Sequence, residues 1–212
     1  MKKIMFSDKF GLTQAVLDGR KTMTRRVINE RTEQWLRMQY GDDHYRWLRH
    51  SPYQYLEEVA VAQSYEDIFV TNDFPIDEWI DKVEKAHSGK DYRLLEGTDN
   101  KMFVKADLMP HRILIKDIKV ERLQDISNVE AMKEGIWRDD AGGSVVGSPI
   151  GIPYLFTFDH IFSKNNQRLH WTTPRKAFAA LIDKINGKGT WERNPFVFAY
   201  SFELVKKGAS NG

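Results

Sequence analysis

Apolar residues recur along this chain with two periods, and the points where one period gives way to the other mark out the elements. From residue 8 to 18, Phe10, Thr13, Val16 and Leu17 share roughly one face of a helix that Ser7 or Asp8 can cap, and Gly19 follows where a left-handed residue is wanted. Thr22, Thr24 and Val27 then favour an extended path. A helix is predicted around 31–39, Val59–Ala62 reads as a short apolar strand, and a further helix is predicted over 76–86. Lys101 to Met109 alternates, with Met102, Val104, Ala106 and Leu108 on one side, until Pro110 breaks the run. Arg112 to Arg122 alternates again, and the phase change from Ile113 and Ile115 to Ile118 and Val120 suggests a bulge near Lys116 and Asp117. Two runs joined by a proline break predict a hairpin.

Towards the C-terminus, Ser127 and Glu130 have capping-box spacing for a short helix that runs to about Glu134 and ends at Gly135. Residues 139–151 are rich in Gly and Ser and predict a mobile loop, and 154–162 is apolar with its element left open. Thr173 before Pro174 is a helix start, with Phe178, Leu181, Ile182 and Ile185 on one face and Gly187 past the end. From Phe196 to Val205 both alternating sets are largely apolar, as in a strand covered on both faces. These elements predict an α+β fold, a small mixed β-barrel with short flanking helices, in one domain over 1–207. Helical insertions fall at about 30–56 and 66–100, and 208–212 is expected to be a disordered tail.

Composition narrows the class. With 212 residues, 41% of them apolar, the chain is long enough for one well-buried core. It has no run of about eighteen apolar residues, and Lys2 and Lys3 are not followed by the apolar core of a secretory leader. Cysteine is absent, which excludes disulfides and thiolate zinc sites, and the six histidines are scattered. No metal, cofactor or membrane is expected, and the location expected is the cytoplasm. Against 32 basic residues stand 30 acidic ones, so any hold on nucleic acid must come from a local patch rather than bulk charge.

One such patch stands out. Gly19 to Arg26 places four cations (Arg20, Lys21, Arg25, Arg26) and two hydroxyls (Thr22, Thr24) within eight residues. Arg offers a planar fork and Lys a point charge, which suits an anion; a solvated basic turn after a helix end is the plain alternative. Trp35, Arg37, Tyr40, Tyr45, Arg46, Trp47 and Arg49 form an aromatic and basic run that fits base stacking or, more commonly, packing of the insertion onto a core. Lys116 and Lys119 read as exposed strand residues only.

Gly19-x-Lys21-x-x-x-x-Arg26 resembles the GxKxxxxR signature of the ASCH domain, a branch of the PUA-like β-barrel superfamily. The helix before it, the run from Arg112 to Ser127, the acidic helix end Ala131–Ile136 and the closing strand Asn194–Glu203 resemble the same family, including phage- and prophage-encoded members. The resemblance covers about 4–28, 57–65, 101–137 and 174–205, and leaves the two insertions without a counterpart. It implies RNA-related function. Some small members remove the acetyl group from N4-acetylcytidine with a Lys, a Thr and a Glu, and at least one member is a ribonuclease. Lys21 and Thr24 match the first two, and Glu134 matches the third, with Glu130 one turn away.

The chemistry of such a set is coherent. A neutral Lys21 can take the proton of the Thr24 hydroxyl, Glu134 can act as acid or base, and Arg25 or Arg26 can steady a developing oxyanion. Each also has a plain role: phosphate contact for Lys21, strand packing for Thr24, ion pairing for Glu134, capping for Glu130. The leading expectation is a domain that binds RNA or a modified nucleoside through a basic cleft formed by Arg20, Lys21, Arg25, Arg26 and Arg112. The alternative is a metal-independent amidohydrolase of an acylated nucleoside. A ribonuclease, or a phage accessory protein that meets a protein partner through the insertions, comes after these.

Overall fold

The computed structural model describes residues 1–71, 75–139, 155–159, 161 and 168–205. In chain order the elements are β1 (Lys3–Ile4), α1 (Leu12–Leu17), β2 (Met23–Val27), α2 (Glu30–Tyr40), α3 (His44–Trp47), β3 (Glu58–Val61), α4 (Tyr65–Thr71) and α5 (Ile76–Ala86). There follow β4 (Arg112–Arg122), α6 (Asn128–Lys133), β5 (Trp137–Asp139), β6 (Leu155–Thr157), α7 (Pro174–Asn186), α8 (Thr190–Arg193) and β7 (Phe196–Leu204). The fold is mixed α+β, with a five-stranded mixed sheet in the order β1-β3-β4-β7-β2 and a two-stranded ladder of β5 and β6. Among the described residues, no helix is long and apolar enough to cross a membrane. The loop expected from 139 to 151 lies, beyond Asp139, outside the described residues, as does the tail at 208–212.

The chain forms two compact units. The first takes Met1–Phe6, Glu57–Leu114 and the chain from Leu204. In it β1 runs parallel to β3, and β3 pairs antiparallel with the start of β4, Val59 facing Ile113. Ala60, Ala62, Tyr65, Ile68, Trp79, Val83, Val104 and Met109 make its core, and Trp79 also donates its indole N–H to Leu108 O at 2.9 Å. The second unit takes Ser7–Leu56 and Ile115–Glu203. There β2 pairs antiparallel with β7, and Trp47, Phe158, Phe178 and Tyr200 are fully buried.

Two expectations are corrected. The predicted helix over 8–18 is split: a 3-10 turn at Asp8–Phe10 meets α1 at Gly11, whose φ is +62°. A Cβ on Gly11 would lie 2.6 Å from the Asp159 Cβ, so the junction has no room for a side chain. The predicted hairpin also fails, because 101–109 forms turns and a 3-10 helix at Ala106–Leu108 rather than a strand. The edge of β4 that the hairpin required is taken by β3. Of the alternating set, Val104 is buried, while Met102 is 59% exposed.

Elsewhere local chemistry sets the ends as expected. Ser127 Oγ accepts from Glu130 N–H at 3.2 Å, and Glu130 Oε2 accepts from Ser127 N–H at 3.0 Å, closing the capping box of α6. Thr173 caps α7 through Lys176 N–H, with Pro174 in the first turn.

Candidate functional site

The basic motif is drawn out between α1 and α6. Gly19 is left-handed at φ +72°, Lys21 N–H donates to Ala15 O at 2.8 Å, and Thr22 N–H donates to Lys133 O at 2.9 Å. That path carries the Lys21 side chain inward to the end of α6. Its Nζ donates to Glu134 Oε2 at 2.7 Å and to Glu134 O at 2.8 Å. Lys21 and Glu134 are 2% and 3% exposed. Gly135, at φ +98°, leaves space for the lysine stem: a Cβ there would stand 3.2 Å from Leu12 Cδ2 and 3.7 Å from Lys21 Cδ.

Arg25 enters from β2 and meets three carboxylates. Its guanidinium lies 2.6 Å from Glu121 Oε1, 3.2 Å from Glu130 Oε2 and 3.2 Å from Glu134 Oε1. Lys119 closes the network, 2.5 Å from Glu130 Oε1 and 2.9 Å from Glu121 Oε2. Lys21, Arg25 and Lys119 thus face Glu121, Glu130 and Glu134, and their formal charges cancel. Buried ions need this matching, because each costs several kcal/mol to desolvate.

Burial draws the Lys21 ammonium below its ordinary 10.5, with Arg26 and Arg25 adding to the effect and Glu134 opposing it. At Glu130 partial burial works against ionisation, but Lys119, the Ser127 N–H and Arg25 outweigh it and hold the carboxyl down to about 2. Lys119 is partly desolvated, yet Glu130 and Glu121 raise it above the ordinary lysine value.

The other residues of the motif lie apart from this pair. Thr24 is 5% exposed, and among the described residues its hydroxyl makes no hydrogen bond. Neighbouring strand residues point to opposite faces, so Thr24 lies across β2 from Arg25, in register with Tyr200. Tyr200 Oη is 2.6 Å from Ser51 Oγ, and burial pushes the phenol up to about 12. Arg26 shares the Thr24 face and is in register with Phe198. Arg20 is exposed, its guanidinium 3.0 Å from Asp18 Oδ2 and 3.2 Å from Asp159 Oδ2. Arg112 belongs to the first unit, where it lies 3.4 Å from Glu58. Glu130 both caps α6 and pairs with Arg25 and Lys119, while of these two carboxylates it is Glu134 that pairs with Lys21.

Lys119, expected only to be exposed, and Glu121, not expected at the site, both belong to it. The signal was the two-residue period of β4, which puts 119 and 121 on one face. In the aromatic run, Trp47 packs into the core 5.2 Å from Phe196, whereas Trp35 and Tyr45 are 41% and 75% exposed.

No protein-family model matches the chain, and neither does any curated protein or solved structure.

Proposed function

We propose that this protein is an ASCH-like domain of the PUA-like β-barrel class that hydrolyses the amide of a small acylated nucleoside such as N4-acetylcytidine, without a metal. The observation that supports this reading is the buried Lys21–Glu134 pair, 2.7 Å apart, with burial lowering the affinity of Lys21 for its proton. A neutral amine has two N–H groups and one lone pair. The Glu134 carboxylate and carbonyl can take the two hydrogens, and the lone pair can then take a proton from a hydroxyl.

In the proposed step that hydroxyl belongs to a water, whose oxygen bonds to the amide carbon as the C–N bond breaks. The proton gained by Lys21 passes to the leaving nitrogen. This attack gives the carboxylic acid and the free amine directly.

Binding of a modified nucleoside without turnover is the second reading. It is favoured by Thr24, whose hydroxyl is bonded to neither Lys21 nor Glu134. A long RNA fits less well, because Lys21 and Arg25 are buried against carboxylates rather than lining an open basic groove.

Acetate release from N4-acetylcytidine tests the proposal. The wild type is expected to turn over, with a loss of at least about 100-fold in Lys21→Met and Glu134→Gln while both remain folded. A wild type that binds the nucleoside but releases no acetate leaves the second reading standing.

A further inference from the structure

We propose a separate ligand site on the exposed side of the turn between α6 and β5, one that takes a planar aromatic ring bearing a phosphate, as in a mononucleotide. A cavity of about 370 Å³ opens there, within the range of small-ligand sites. Three cations line it, Arg20, Lys133 and Arg138; among the described residues no carboxylate does, although Asp18 and Asp159 pair with Arg20 beside it. Its apolar wall comes from Val129 and Met132, which are 66% and 41% exposed, together with Trp137. The exposed ammonium of Lys133 calls for an anionic group, and an anion without an apolar body would leave the wall wet.

The wall and the rim are held by one residue. Asp159 Oδ1 accepts from the Trp137 indole N–H at 3.0 Å, while Asp159 Oδ2 is 3.2 Å from Arg20. The aromatic surface and one rim cation are therefore fixed relative to each other before any ligand arrives, which lowers the ordering cost of binding. The Arg168 guanidinium lies 5.0 Å from the Trp137 ring centre and further restrains the indole. Lys133 has no carboxylate partner among the described residues. A flat indole beside a thioether suits a ring better than an alkyl chain, and the Arg fork with a Lys point charge suits phosphate.

The site goes beyond the proposed hydrolysis and does not depend on it. Gly135, part of the cavity wall, separates it from the Lys21 stem. The phosphate-bearing ring can be free or part of a strand, and the two sources are separable.

Calorimetric titration of the full chain with adenosine monophosphate, adenosine, inorganic phosphate and a short single-stranded RNA tests the inference. The monophosphate is expected to bind at least tenfold more tightly than adenosine or phosphate alone. Lys133→Glu, an exposed change that leaves folding intact, and Trp137→Leu, checked by its melting curve, should each weaken it at least tenfold. RNA that binds more tightly and is displaced by the monophosphate makes the source a strand; RNA no tighter than the monophosphate makes it the free nucleotide. Both results uphold the site. A monophosphate no better than phosphate, or indifferent to both variants, overturns it. Glu134→Gln separates this inference from the preceding one: it should abolish turnover and keep monophosphate binding. Binding without turnover in the wild type would end the hydrolysis reading alone, and turnover without binding would end this one alone.

Discussion

Arg25 is the side chain on which the buried charges converge. Removing it leaves Glu121, Glu130 and Glu134 short of a cation. Arg25→Met is therefore expected to cost about 3–5 kcal/mol in chemical denaturation, whereas Arg20→Ala, which breaks only exposed pairs, should cost no more than about 1 kcal/mol. Equal costs would mean that the network contributes little.

Glu130 gives the same network a pH signature. Its folded value near 2 lies below the ordinary 4.5, so its contribution is complete above about 4.5 and is lost as pH falls towards 2. Stability measured across that window should fall less steeply in Glu130→Gln, which keeps an oxygen to accept from the Ser127 N–H. An unchanged slope would contradict the assignment.

At the scale of elements, Gly11 and Gly19 make a paired test. Both have positive φ, +62° and +72°, but a Cβ on Gly11 meets Asp159 at 2.6 Å while one on Gly19 meets nothing within 4 Å. Alanine at 19 should therefore cost only the left-handed penalty of about 1–2 kcal/mol. Alanine at 11 should cost clearly more, and thermal melts of the two variants decide it.

The same elements show what local sequence does and does not specify. The spans of α5 and β4, and the starts of α6 and α7, follow from periodicity and capping side chains that act within a few residues. The hairpin expected over 101–109 could not be judged that way. Alternation there marks Val104 for burial, but which strand takes the edge of β4 depends on β3, some fifty residues earlier. The pairing of Lys21 with Glu134 was legible only through a family resemblance, since 113 residues separate them. The role of Lys119 was legible in principle from its spacing to Glu121, yet the number of carboxylates that meet Arg25 emerges only in three dimensions.

At the scale of the whole molecule, a net charge of +2 and the internal neutralisation of Lys21 and Arg25 set how the protein meets a long polyanion. If Arg20 and Lys133 make the phosphate contacts, affinity for single-stranded RNA should fall with salt at a log–log slope of about −1.4, at about −0.7 per contact. A slope steeper than about −3 would mean that a broader basic surface is engaged.

The proposed hydrolysis requires Lys21 to act as a base and not only as half of an ion pair. Lys21→Arg separates the two roles, because Arg keeps the positive charge beside Glu134 but does not give up its proton. Wild-type protein is expected to release acetate from N4-acetylcytidine, and Lys21→Arg to melt close to wild type while losing at least about 100-fold in turnover. Turnover retained in Lys21→Arg, or none in the wild type, would contradict it.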